Sequence, residues 1–179
     1  MLVIREEFIA TYGDTELCIP IQGSYLRLQD GAYGSYLYFE KYNNGKKMLQ
    51  KLCELFNKIG YSGIFEIEFL VNNNDELIFL EINFRHTLWN HTFTDMGCNL
   101  CKLWAESAIT GHLVLDDINL KSQNRHILIS EFVDMKTYLL TGKVSFIKWC
   151  KQCISADSYV IYDRKDKKPF YKYLLKHIK

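Results

Sequence analysis

Gly63-Ile64-Phe65-Glu66-Ile67-Glu68-Phe69-Leu70-Val71, then Asn72-Asn73-Asn74-Asp75, then Glu76-Leu77-Ile78-Phe79-Leu80-Glu81-Ile82-Asn83 is the stretch on which the reading turns. Two runs that alternate apolar with polar, separated by a cluster of turn-forming residues, predict a β-hairpin with strands over Gly63–Val71 and Glu76–Asn83. Strand side chains alternate between faces, so Phe65, Ile67, Phe69 and Val71 are expected to share a core face with Ile78, Leu80 and Ile82. Glu66, Glu68, Glu81, Asn83 and, just beyond the strand, Arg85 fall on the other face. With Asn74-Asp75 as a two-residue turn, Glu68 lies opposite Glu81. Directly opposed residues are about 5 Å apart at Cβ, and like charges there repel. Such a pair either raises a pKa or holds a cation. Two carboxylates and an amide oxygen beside an arginine suit Mg²⁺ shared with phosphate oxygens. The competing reading is a sheet face whose glutamates sit in water.

Upstream of the hairpin, four short runs read as strands: Leu2–Ile9, Glu16–Gln22, Tyr25–Leu28 and Ser35–Tyr42, punctuated by Gly13-Asp14, Gly23 and Gly31–Gly34. Asn43-Asn44-Gly45 opens a helix in which Met48, Leu49, Leu52, Leu55, Phe56 and Ile59 share one face of a 3.6-residue period, with Gly60 as the residue after its end. Downstream, a helix is predicted from about Asn99 to Thr110, stopping at Gly111. A strand near Ile127–Val133, short helices near Lys136–Leu140 and Ser145–Ile154, a strand near Tyr159–Ile161 and a helix from Pro169 complete the chain. The fold class is α+β.

Composition narrows the partners. At 179 residues the chain fits one domain, or one with a small appendage. Hydrophobic residues at 48% and charged residues at 24% describe a soluble globular protein. A net charge of +1 gives no case for nucleic acid. The longest run without a charged side chain, Leu17 to Leu26, is about half of a membrane span. No secretory signal follows Met1, so the expected location is cytoplasmic. Cys98-Asn99-Leu100-Cys101 and Cys150-Lys151-Gln152-Cys153 have the spacing of zinc ligands. Each lies in an apolar helical pattern without a glycine-rich knuckle, where cysteine acts as a small hydrophobe, and neither pair is expected to bind zinc.

The run Gly63–Phe69, the turn, and Phe79-Leu80-Glu81-Ile82-Asn83-Phe84-Arg85 resemble the metal-binding hairpin of the ATP-grasp superfamily, an (I/V/F)-E-F strand followed by E-(I/M)-N-x-R. Arg5-Glu6-Glu7-Phe8-Ile9 resembles the adenine-binding hinge strand, and Gly97–Leu100 with its helix resembles the segment after the metal site. Arg125–Val133, Leu140–Trp149 and Arg164–Phe170 resemble the tail of carboxylate–amine ligases related to carbamoyl-phosphate synthase and D-aspartate ligase. The resemblance implies a mainly antiparallel sheet flanked by helices. Residues 1–112 would form the C-terminal ATP-grasp subdomain and 113–179 an extension packed on it. It implies that Glu68, Glu81 and Asn83 hold one or two Mg²⁺ (or Mn²⁺) ions on ATP, and that Arg85 is catalytic. The backbone of Glu7 and Ile9, in the segment Glu6, Glu7, Phe8, Ile9, would meet adenine, and Asp14 or Glu16 would reach the ribose. The implied reaction activates a carboxylate as an acyl phosphate and joins it to an amine.

One feature departs from that family. Its N-terminal half supplies a glycine-rich loop and lysines on ATP, and the match here begins almost at the hinge, so the chain is expected to be the C-terminal half of a ligase. Its partners would be small carboxylate and amine substrates and the missing N-terminal half, with no nucleic acid and no membrane span. Alone it is expected to bind Mg-ATP weakly or not at all. The alternative is a nonenzymatic binding or scaffold module that keeps the metal face. Position suggests a substrate pocket for His86, Trp89 or Thr92, against core packing for Trp89 and Trp104. His86 and His91 are spaced wrongly for one helix face and make no metal pair. The basic last 17 residues read as a solvated amphipathic helix.

Overall fold

The structure, a computed structural model, describes residues 5–13, 16–28, 34–42, 46–74, 76–115, 118, 120 and 125–177. Strands β1 (Arg5–Gly13), β2 (Glu16–Leu28) and β3 (Gly34–Lys41) lead to helix α1 (Lys46–Ile59), then β4 (Gly63–Val71) and β5 (Leu77–Asn83). Helices α2 (Asn90–Asp95) and α3 (Leu100–Thr110) follow, then β6 (His126–Ile129), α4 (Glu131–Asp134), α5 (Phe146–Ser155), β7 (Ser158–Tyr159) and α6 (Lys168–His177). This is the expected mixed fold, a mainly antiparallel sheet with flanking helices.

Contacts group the chain into Met1–Tyr25 with Tyr38–Arg125, and Leu26–Leu37 with His126–Lys179. That is a different cut from residue 112/113, because parts of β2 and β3 belong to each unit. In the first unit the strand order is β5-β4-β1-β2-β3. Its core is the predicted one: Phe65, Ile67 and Phe69 of β4 pack with Ile19 against Leu52 and Phe56 of α1. The Phe56 and Phe65 rings lie 4.3 Å apart. Gly60, at φ +64°, ends α1 in the left-handed conformation that glycine adopts without strain. Asn99 caps α3, its Oδ1 accepting from the Lys102 N–H, and Gly111 at φ +78° closes it.

Gly23 does not punctuate. β2 runs through it without a break, and Gly23 pairs in register with Glu7. A Cβ there would stand 2.5 Å from Phe39 Cε1, so the glycine makes room for a fully buried ring. The two strands expected over Glu16–Gln22 and Tyr25–Leu28 are one.

In the second unit β6 runs parallel to β7, Leu128 level with Ser158, and adjoins β3 through the Ser130 N–H to Ser35 C=O bond of 2.8 Å. The strand expected over Ile127–Val133 stops at Ile129, and the chain turns into α4, which continues as a π-helix over Met135–Leu139. Glu131 ends the strand by accepting the backbone N–H groups of Val160, Ile161 and Tyr162, the last at 2.7 Å. Asp134, with no exposed surface, takes a two-pronged pairing from Arg27 at 2.7 and 2.6 Å, plus hydrogen bonds from Ser35 and Trp149. Among the described residues, no helix is long and apolar enough to cross a membrane.

Candidate metal site on the β4–β5 hairpin

The hairpin brings the predicted metal ligands together. Glu68 pairs in register with Glu81, and Glu66 with Asn83, so all four share one face. Asn83 Nδ2 donates to Glu81 Oε1 at 3.0 Å, joining the amide to the carboxylate. The glutamates of β4 are not solvated: Glu66 is 4% and Glu68 7% exposed. The reading of this face as glutamates in water therefore fails for β4, while Glu81 on the edge strand remains exposed.

The core-face assignment on β5 needs correcting. Val71 pairs with Leu77 and Phe69 with Phe79, leaving Leu80 as the extra residue of a bulge before Glu81 meets Glu68. The bulge shifts the alternation, so Leu77, Phe79 and Ile82 take the core-side positions: Leu77 and Ile82 pack on the core and Phe79 sets its ring 6.3 Å from Phe69 while staying half exposed, whereas Ile78 and Leu80 are exposed. The turn is also longer than two residues. Asn72 N–H donates to Glu76 C=O, and Asn72 Oδ1 accepts the N–H groups of Asn74 and Glu76 at 2.9 Å each. That side chain mimics a turn of backbone and holds the loop.

Arg85 leaves the strand through a tight turn, its N–H bonded to Asn83 C=O at 2.9 Å. Its side chain is 62% exposed, and Nη1 lies 3.5 Å from Glu66 Oε2 and 3.3 Å from His86 C=O. The sequence put Glu66 on this face without a role. The structure gives it one, holding Arg85 beside the acidic row; the signal was the same two-residue alternation that singled out Glu68.

The nucleotide candidates are dispersed. Glu7 is in register with Glu68 on one side and Gly23 on the other, and Ile9 with Glu66 and Ile21. β1 is thus an interior strand, and the backbone expected to meet an adenine edge is committed to sheet ladders. Glu6 and Phe8 occupy alternate rows, level with Phe69 and Ile67. Glu16 pairs with Gly13 at the end of the β1–β2 ladder, and Asp14 lies outside the described residues. Glu7, Glu68 and Glu81 therefore hold adjacent positions across three strands.

Trp89 and Thr92 are buried in the turn and helix after Arg85, whereas His86 and His91 are exposed. Trp104 is exposed too, since α3 buries Leu100, Leu103 and Ser107 instead. Cys98 precedes α3 rather than lying on it, and is buried while Cys101 is exposed. Burial pushes the Cys98 thiol up to about 12, with neighbouring Cys18 adding to the effect, and Cys18 itself up to about 11. Asn90 Nδ2 donates to Cys101 Sγ at 3.2 Å.

Solved structures share this fold over part of their length. The biotin carboxylase subunit of pyruvate carboxylase matches with TM-score 0.53 and 13% identity, over 70% of this chain and 29% of that one. The biotin carboxylase domain of a thermophilic 2-oxoglutarate carboxylase bound to bicarbonate matches with TM-score 0.53 and 18% identity, over the same shares. The Hydrogenobacter thermophilus biotin carboxylase domain, solved with MgADP and bicarbonate, gives TM-score 0.53 and 15% identity, again over 70% and 29%. The sequence matches no family model and no curated protein. The chain spans under a third of the length of these solved chains. At these identities the likeness is one of fold: the chain folds like part of a biotin carboxylase domain.

Proposed function

We propose that this chain is part of an ATP- and Mg²⁺-dependent ligase that activates a carboxylate and joins it to an amine. The observation that carries the reading is the register of the hairpin, which sets Glu68 against Glu81 and ties Asn83 to Glu81 on one face. Opposed carboxylates repel unless something positive lies between them. Two carboxylates and an amide oxygen form a hard-oxygen donor set of the kind Mg²⁺ takes when it also carries substrate phosphates. Glu68, Glu81 and Asn83 would hold the ion; when bound, it neutralises phosphate charge.

The remaining work falls to side chains. Arg85, exposed and steadied by Glu66, supplies a guanidinium for phosphoryl oxygens and for charge that builds as the phosphoryl group transfers. Glu66 positions Arg85: paired with a buried carboxylate, the long side chain keeps to one side of the hairpin. The small carboxylate and amine are the substrates. A polypeptide region that supplies the rest of an ATP-grasp cleft, with its glycine-rich loop and lysines, is the partner. In-line positioning then accounts for most of the rate.

Titration of the chain with Mn²⁺, followed by electron paramagnetic resonance with and without ADP, tests this reading. Wild type is expected to bind Mn²⁺ at one saturable class of site, with little change on adding ADP to this chain alone. Glu81→Gln and Glu68→Gln are expected to weaken Mn²⁺ binding by about tenfold or more. Equal Mn²⁺ binding in wild type and both variants rejects the site.

A further inference from the structure

α5 is fixed in rotation by its inward face. Trp149 Nε1 donates to Asp134 Oδ2 at 3.0 Å, Gln152 Oε1 accepts from Arg27 Nη1 at 2.7 Å, and Cys153 packs with Ile129 and Ala156. The outward face is apolar as well. Phe146, Ile147 and Ile154 are 66%, 69% and 82% exposed, and Leu140, ahead of the helix, is 71% exposed. Ile147 and Ile154 stand two helical turns apart, with half-buried Cys150 between them, so the three form one stripe and Phe146 extends it. Rotating α5 to bury the stripe would break both hydrogen bonds to the buried Arg27–Asp134 pair. Single exposed apolar residues are ordinary on a soluble surface, but three on one ten-residue helix mark a contact.

Charge identifies what this face meets. Between Asp134 and Asp157 the chain has four lysines, Lys136, Lys143, Lys148 and Lys151, and no Asp or Glu. All four lysines are exposed, and helical spacing puts Lys151 and then Lys148 along the edge of the stripe away from Cys153. The acids at either end are engaged elsewhere. Glu131 accepts from the backbone at Tyr162, Asp134 pairs with Arg27, and Asp157 accepts the Ile127 N–H. α6 repeats the pattern on a smaller scale: Phe170 and Tyr173 pack on Phe132, leaving Tyr171 and Leu175 exposed beside Lys168, Lys172 and Lys176. Side chains that stand two-thirds or more clear of the protein are knobs, not a groove. A folded partner needs a matching hollow, whereas a fluid acyl layer closes around any knob.

We propose that α5 is a peripheral membrane contact for an anionic leaflet. Phe146, Ile147 and Ile154 seat among the upper acyl chains, and Lys148 and Lys151 meet the anionic headgroups, their stems reaching back to the interface. The helix lies in the plane of the interface and does not cross it. The contact uses no residue of the β4–β5 hairpin, so it stands or falls apart from the ligase reading.

Co-flotation of the full chain with vesicles tests it, using phosphatidylcholine with about 30% phosphatidylserine beside pure phosphatidylcholine. The chain is expected to float with the anionic vesicles, and to partition about tenfold or more weakly on the neutral ones or in about 0.5 M salt. Neutralising the edge with Lys148→Gln plus Lys151→Gln is expected to weaken partitioning by about tenfold or more. Ile147→Asn plus Ile154→Asn is expected to do the same with the thermal midpoint unchanged, since both sites are exposed. A Phe146→Trp variant is expected to gain an emission component that brominated acyl chains quench, on anionic vesicles only. The proposal is overturned if wild type stays with the soluble fraction, if it binds both vesicles equally, or if the isoleucine pair changes nothing. Self-association that the isoleucine pair abolishes, without flotation, would assign the face to a second copy and overturn it too. The lipid and salt comparisons use wild type alone, so a misfolded variant leaves the test intact.

Discussion

Glu68 and Glu81 stand directly opposite one another across the β4–β5 ladder, the first buried and the second exposed. Two departures from regular geometry cancel to put them there. The loop closed by Asn72 and Glu76 is one residue longer than a two-residue turn, and the bulge at Leu80 restores the pairing. A hairpin with either departure alone would set Glu68 against a neighbour of Glu81 and turn the carboxylates to opposite faces.

Replacing Glu81 by Gln removes the like charge and keeps an oxygen for the Asn83 amide. Without divalent cations, the variant is expected to be more stable than wild type by about 0.2–1 kcal/mol. Added Mg²⁺ is expected to stabilise wild type and leave the variant unmoved. Urea denaturation with and without Mg²⁺ reads both effects, and an identical Mg²⁺ response in the two proteins counts against the hairpin as a cation site.

Gly23→Ala is expected to destabilise the protein by about 1–3 kcal/mol, because the new methyl meets the Phe39 ring in a filled core. In open space the same change on a strand favours folding. The sign therefore reports on the ring. Denaturant melts of Gly23→Ala with and without Phe39→Leu separate the contributions; a stabilised single variant would contradict the packing.

Asp134→Asn leaves the Arg27 guanidinium without its counter-charge in a buried position. The expected loss is about 3–5 kcal/mol. Double replacement of Arg27 and Asp134 by apolar residues is expected to recover part of it. Chemical denaturation of both variants checks this, and a single variant within error of wild type would show that the pair is not buried in solution.

Cys98 titrates at about 12 in the folded chain, against 9.0 for an unperturbed thiol. A raised pKa means the folded state holds its proton longer, so this contribution to stability is complete below pH 9 and is lost as the pH rises toward 12. At pH 8 the exposed Cys101 is expected to react with iodoacetamide well before Cys98 or Cys18. Mass spectrometry of timed digests measures the order; equal rates would show that Cys98 is accessible.

Local signals carried much of the architecture. The apolar period of α1, the Asn99 cap and the glycines after α1 and α3 act within one or two turns of chain, and each element ends within a few residues of its predicted limit. Signals that depend on distant partners did not read. Gly23 looked like a break because nothing near it in sequence mentions Phe39. Val133 looked like strand because the Glu131 side chain, which holds the backbone at Val160–Tyr162, acts across some thirty residues. α2 is too short for a period of 3.6 to register.

The sequence by itself determined that a hairpin forms here, with Glu66 and Glu68 on one face of its first strand and Glu81 and Asn83 on one face of its second, since two-residue alternation and a turn cluster are properties of adjacent residues. It also determined the polarity of those faces. That the two pairs meet on a common face was decided by the longer loop and the bulge at Leu80 together. Only the tertiary structure decided that Glu66 and Glu68 are buried, that Glu66 reaches Arg85, and that β1 is an interior strand whose backbone is already paired. Those outcomes depend on β1 and α3, which pack against β4. Burial and strand order arise from chain segments far apart in sequence, and no window of neighbouring residues encodes them.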